Sequence, residues 1–194
     1  MEHWRYYIRA RLLEALGRAQ QSIAAYQAAL RVKPDFHRCS NRIAYILAGL
    51  ERYAEAEPYF RAALDADPGN AVAHFNLGYT YDKRGMVEKA IEAFGAATRL
   101  NPKIDRAWYG MGLAQAALGN HEDAAKALRE AATLQPMNPH AWYQLGMAYR
   151  KLHNPEKVNK VVMHLVRFDP KMARRLIVDA QRSDLAYLVK DLVV

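Results

Sequence analysis

Five prolines stand at one interval: Pro34, Pro68, Pro102, Pro136 and Pro170 follow one another every 34 residues. A fixed period of that length constrains a chain more than its composition does. It means that one structural unit is built repeatedly, each copy burying its apolar face on the next. The phrases AHFNLGYTY at 73–81, AWYGMGLAQ at 107–115 and AWYQLGMAY at 141–149 repeat at the same spacing. Ending each unit two residues after its proline divides the chain into 3–36, 37–70, 71–104, 105–138 and 139–172, with 173–194 left over.

Within a unit, positions 4, 7, 8 and 11 fall in one narrow arc when wound at about 100° per residue. In the fifth unit these are Trp142, Leu145, Gly146 and Tyr149, all expected to pack. A bulky apolar residue beside glycine or alanine lets a second helix come close. That second helix is expected over about positions 18 to 31, and in the third unit its inner face reads Ala90, Phe94 and Ala97. The proline at position 32 then ends it, because proline cannot continue the helical hydrogen-bond ladder. Each unit is thus a helix hairpin that must stack on its neighbours.

Departures from the pattern carry their own expectations. Arg9 takes an apolar position in the first unit, which has no unit before it to pack on. Pro58 falls just inside the second helix of its unit and predicts a shifted helix start or a kink. Val158 and Leu165 replace small residues in the fifth unit and predict a modified contact with the C-terminal segment. In 173–194 and the residue before it, Met172, Leu176, Ile177 and Ala180 line one helical face, and Ser183 is placed to start a short helix carrying Leu185, Leu188 and Leu192. This reads as a capping segment; a sharper expectation is that the end, LVKDLVV, docks on a second copy and drives self-association.

On these residues the chain resembles the tetratricopeptide repeat family, whose pattern is W-x2-L-G-x2-Y, then A-x3-F, then P. Trp142, Leu145, Gly146 and Tyr149 match its first part, and Leu77, Gly78, Tyr81, Ala90, Phe94, Ala97 and Pro102 match the rest. The resemblance implies an all-α, right-handed α-solenoid of five helix hairpins with a C-terminal capping helix. It also implies a non-catalytic scaffold or adaptor that holds a partner peptide in a concave groove lined by the first helices.

The helical wheel says which side chains face such a groove. Positions 2, 5, 6, 9, 12 and 13 form one contiguous face beside the packing arc. They supply Tyr7, Arg11, Arg38, Asn41, Arg42, Tyr45, Phe75, Asn76, Tyr79, Lys83, Arg106, Tyr109, Leu113, His140, Tyr143, Gln144, Met147 and Arg150. Tyr, Phe and Arg carry binding hot spots, and Arg forks suit carboxylates. The expected ligand is a protein or peptide with apolar or aromatic residues in its middle and acidic residues beside them. The carboxylate clamp of chaperone adaptors in this family is not expected, since only Asn76 and Arg106 fit its five positions.

Other classes find little support. Gly110-Met111-Gly112 lacks the third glycine of a dinucleotide loop, and His121-Glu122 lacks a second histidine four residues on. No nucleophile–base pair, cofactor motif or metal-ligand set is legible, so no enzyme is expected. The lone cysteine, Cys39, excludes an internal disulfide and reads as an inert thiol. The net charge of +8 is spread along the chain, from +3 over 1–36 to +4 over 139–172, with no basic tail. Single-stranded nucleic acid is therefore a rival ligand, set aside because the groove positions vary between apolar and charged rather than repeating a polar code. Without a signal peptide or a long apolar run, the expectation is a cytoplasmic protein with no membrane partner, or a recognition domain cut from a larger enzyme or assembly machine.

Overall fold

A computed structural model describes residues 1–190, which are helical throughout apart from their connecting turns. The chain divides into two compact units, Met1–Leu100 and Asn101–Val194. The first holds three hairpins: α1 (Glu2–Ala15) with α2 (Ala19–Val32), α3 (His37–Gly49) with α4 (Tyr53–Ala66), and α5 (Ala71–Lys83) with α6 (Val87–Leu100). The second holds α7 (Asp105–Ala117) with α8 (His121–Leu134), α9 (Pro139–Lys151) with α10 (Pro155–Val166), then α11 (Pro170–Asp179) and a 3₁₀ turn, Ser183–Val189. The all-α solenoid expectation holds: within each unit every hairpin packs its two helices together and stacks on the next.

Each hairpin closes on a small residue. An added Cβ on Gly78 would stand 2.7 Å from Phe94, and one on Gly112 2.6 Å from Leu128. Each partner lies sixteen residues on, at the same place in the second helix. Ala10 and Ala44 hold the position opposite Tyr26 and Phe60 in the first two hairpins, and all four side chains are fully buried. The fifth hairpin differs. Its second helix offers only Val162 at that place, and the residue pressed on Gly146 is Leu176 of α11, with a Cβ distance of 2.5 Å. Val158 and Leu165 are buried, and so are Leu176 and Ile177, so α11 completes one apolar cluster with α9 and α10.

Turns between paired helices use the left-handed region at one register. Gly17, Gly85 and Gly119 have φ of 70°, 71° and 80°, while Glu51 and His153 reach 60° and 51° at the equivalent positions. Glycine meets this need without strain.

Three expectations change. Trp142 is half-buried rather than core, because its indole N–H reaches out to donate to the Pro136 carbonyl at 2.9 Å. Trp108 donates likewise to Pro102 at 2.9 Å, and His74 Nε2 pairs with the Pro68 carbonyl at 3.0 Å. Proline at position 32 therefore ends a helix and also presents the carbonyl that holds the next one. Pro58 lies inside α4, which starts at Tyr53 in register with the second helices of the other hairpins, so no shifted start occurs. Pro170 opens α11 instead of closing α10, which already ends at Val166. The terminal turn begins at Ser183, so Arg182 and not Ser183 holds the cap position, and Leu185 and Val189 are buried. Leu192, and with it part of the self-association expectation, lies outside the described residues.

The packing has two measurable consequences for stability. Gly78→Ala is expected to destabilise by up to about 2 kcal/mol in urea unfolding, because overpacking of about 1–3 kcal/mol is only partly offset by the better helix propensity of alanine, about 1 kcal/mol. Trp142→Phe, which deletes the proline-directed hydrogen bond, is expected to cost about 1 kcal/mol. Trp142→Ala should cost less than the roughly 3–5 kcal/mol of a fully buried ring. A loss at the top of that range in a thermal melt would make Trp142 a core residue after all.

Candidate binding faces on the first helices

In Met1–Leu100 the residues expected to face a ligand divide into spent and open ones. Tyr7 is half-buried among Trp4, Tyr26 and Phe36, with ring centroids 5.5, 5.7 and 5.3 Å away. Phe36 closes the first block at no position of the repeat pattern, so periodicity gives no sign of it. Arg42 was expected to offer its guanidinium to a ligand, and the structure corrects this. Its Nε donates to Glu14 Oε2 at 3.2 Å and Nη2 pairs with Oε1 of the same carboxylate. The Tyr26 hydroxyl donates to Glu14 at 2.9 Å, and Arg11 Nε stands 4.0 Å from it. Glu14 thus engages both groove arginines of that corner from within the fold. Twenty-eight residues separate Arg42 from Glu14, a spacing no helical wheel reports.

The open set lies along α3 and α5. Arg38 is exposed. Tyr45 is 58% exposed, with the Arg42 guanidinium 5.6 Å from its ring centre. Tyr79 is 40% exposed, with Lys83 Nζ 5.3 Å from its ring. Tyr53, which the wheel does not place on this face, stands edge-on to Tyr79 at 6.1 Å. Phe75 is half-buried against Phe94 at 6.0 Å, and Asn76 is half-buried. Asn41 Oδ1 is buried and has no hydrogen-bond partner among the described residues, a state it shares with Asn159 Oδ1 and His121 Nδ1 on second helices. A buried amide oxygen left unpaired costs about 1–3 kcal/mol, so something must offset it.

In Asn101–Val194 the first helices carry fewer open groups. Arg106 and His140 are exposed, and Tyr109, Leu113, Gln144, Met147 and Arg150 are half-buried or more. Tyr109, Met147 and Tyr143 pack against the apolar cluster that α9, α10 and α11 share. Burial raises the Tyr109 phenol above its ordinary pKa. Tyr143 is a second correction. Its hydroxyl donates to Asp179 Oδ2 of α11 at 2.6 Å, and the Arg175 guanidinium covers its ring at 4.9 Å. The residue tethers α11 and keeps no free hydroxyl for a ligand. Arg150 lines a hollow of about 510 Å³ with Lys151, His153, Asn154 and Arg182, and Arg182 is itself paired with Asp184 at 2.7 Å.

Among the described residues no group of three or more His, Cys, Asp or Glu side chains is placed to hold a metal ion. None of the helices described is long and apolar enough to cross a membrane. Cys39 is fully buried, and burial pushes its thiol up to about 12, away from the reactive thiolate.

Comparison with known proteins adds to this geometry. The tetratricopeptide repeat family matches residues 7–71, 75–139 and 110–157. No curated protein matches the sequence. Among solved structures, YrrB, described as a tetratricopeptide repeat protein with an unusual peptide-binding site, is similar at a TM-score of 0.80 and 22% identity, over 91% of this chain and 90% of its own. MamA from Desulfovibrio magneticus is similar at 0.76 and 18% identity, over 93% of this chain and 96% of that one. A tetratricopeptide repeat protein from Parabacteroides merdae reaches 0.79 at 17% identity, over 98% of this chain and 77% of its own. At these identities the likeness is one of fold.

Tyr143→Phe tests the tether. It is expected to cost about 1–2 kcal/mol in chemical unfolding, the range for a bond to a charged group less its partial exposure. Burial and the Asp179 carboxylate raise the phenol above its ordinary pKa, so the folded chain holds that proton more tightly. The resulting stability is present in full below about pH 10 and falls as pH rises through the folded value. The difference between wild type and Tyr143→Phe should therefore be constant from neutral pH to about pH 9 and shrink above it.

Proposed function

The chain belongs to the tetratricopeptide repeat family, and from that premise we propose that it is a non-catalytic interaction scaffold that holds an extended partner peptide along its first-helix face, centred on α3 and α5. Three features support this reading. Tyr45 and Tyr79 are exposed aromatics at equivalent positions on successive first helices. Arg38 and Lys83 add positive charge on the same helices, and the single Glu14 carboxylate offsets only one of the two further charges on Arg42 and Arg11. Asn41 leaves a buried amide oxygen unpaired one helical turn before Tyr45.

That orphaned oxygen is the observation that carries the proposal. Asn41 is only half-buried, and turning its amide about the terminal torsion would bring that oxygen to the surface. There a backbone N–H of a bound extended segment would pair with it, and the cost of leaving it unpaired in the free protein would become part of the binding energy. Tyr45 and Tyr79 then take apolar or aromatic ligand side chains on their faces, and Arg38 and Lys83 take carboxylates. The ligand class is a peptide with an aromatic or aliphatic centre and acidic flanks. YrrB, similar in fold, is described as having a peptide-binding site.

The test separates binding from stability. A peptide array of aromatic-centred acidic sequences would supply a ligand, whose affinity is then measured by fluorescence anisotropy. Asn41→Ala is expected to hold or raise the melting temperature while weakening that ligand about tenfold, the loss of roughly one hydrogen bond. Tyr45→Ala with Tyr79→Ala is expected to abolish binding with the melting curve unchanged. An array with no ligand that depends on Tyr45, or an Asn41→Ala variant with unchanged affinity, overturns the reading.

A further inference from the structure

The outer face of α1 is a second interaction surface, distinct from the peptide face. Within each compact unit, a second helix packs on the first helix of the next hairpin: α2 on α3, α4 on α5, and α8 on α9. The receiving surfaces are built at one register. They are Cys39, Ile43 and Ile46 on α3, and Ala141, Leu145 and Ala148 on α9, every one of them buried. On α1 the same register reads Arg5, Arg9 and Leu12. Leu12 is 60% exposed and Leu16, one turn on along the same stripe, is 66% exposed, while Ile8 at position 6, on the edge shared with the peptide face, is 59% exposed. Arg5 and Arg9 are exposed and have no ion-pair partner among the described residues.

We infer that this face receives a single amphipathic helix of another protein, with apolar residues seated on Leu12 and Leu16 and carboxylates set among and beside them to pair with Arg5 and Arg9. The shape argument is the register: a helix lies on the equivalent surface of α3, α5 and α9. The charge argument is the substitution of two cations, one turn apart, for residues that are apolar or small on those helices. Carboxylates at matching spacing would meet them as charge-assisted pairs.

Two other occupants fit less well. A second copy of this chain carries a net charge of +8 and would bring the same two arginines to the contact. A membrane surface would prefer an uninterrupted apolar arc with cations at its edges. Here, at about 100° per residue, Arg5 falls between Leu12 and Leu16 on the wheel, inside the arc.

The full chain can be tested with a designed, hydrocarbon-stapled helical peptide about the length of α2, 14 residues, bearing a leucine stripe with glutamates among and beside the leucines. The control is the same peptide with lysines in place of the glutamates. The glutamate peptide is expected to bind at least about tenfold tighter by anisotropy, a preference of about 1.4 kcal/mol. Arg5→Glu with Arg9→Glu should reverse the preference, and Leu12→Asp should abolish binding of both. All three residues are exposed, so the thermal melts should match wild type; a variant with a lowered melt is replaced by Leu12→Ser and the comparison repeated. Equal binding of the two peptides overturns the inference, as does binding that survives Leu12→Asp or that is lost instead in Tyr45→Ala. Concentration-dependent dimerisation by sedimentation, lost in Leu12→Asp, would give the face to a second copy. Co-sedimentation with phosphatidylserine vesicles, lost in the same variant, would give it to a membrane. Either result also overturns the inference.

Discussion

Everything in the architecture rests on one contact: a residue with little or no side chain in the first helix of a hairpin, and a larger one pressed on it from the second. Ala10, Ala44, Gly78 and Gly112 meet Tyr26, Phe60, Phe94 and Leu128. The contact sets the distance between paired helices, and that distance decides which residues can be buried on either side. Where the second helix supplies only Val162, a shorter side chain, the space over Gly146 is filled from elsewhere, by Leu176 of α11. The capping segment is thus required by packing. It completes a hairpin whose own second helix does not reach far enough.

The same logic explains what was legible in the sequence. Packing partners within a hairpin recur at a fixed offset, so the period, the helix hairpins and the small residue at position 8 could all be read directly. The proline carbonyl was half visible. Its helix-ending role follows from the missing N–H, but the hydrogen bonds from Trp108, Trp142 and His74 depend on where the next helix starts, six residues on. Reading those aromatic positions as core was reasonable from their size and wrong about their polar edge. A tryptophan whose N–H must reach a carbonyl at the loop cannot be wholly enclosed.

The candidate binding face was less legible, because polar groups there choose between a ligand and the fold. Position on a wheel shows that Arg42 and Tyr143 face away from the hairpin core. It does not show that Glu14 and Asp179 wait 28 and 36 residues away to engage them. Glu14 sits at position 12, on the groove face itself, where the other units carry Ala48, Asp82, Ala116 and Arg150, and Asp179 lies after the last repeat, so periodicity gives no sign of either pairing. Cys39 and Asn41 show the converse. They stand two residues apart on α3, yet one is sealed with its thiol held neutral and the other leaves an amide oxygen buried and unpaired. Burial of a weak donor such as a thiol needs no partner; burial of an amide does.

Comparison of equivalent positions also shows where repetition is broken. Positions 3, 7 and 10 are buried on α3 and α9, which each receive the preceding second helix, whereas on α1 they carry Arg5, Arg9 and Leu12, all exposed. Leu12 stands at position 10, where Ile46, Thr80, Ala114 and Ala148 are all buried, and is itself 60% exposed. A large apolar side chain placed where the fold gives it nothing to bury is the reverse of what stability alone would select. Cations set within its stripe limit what can approach. Apolar and cationic groups at one register together suit the face to a helix that brings both an apolar stripe and carboxylates.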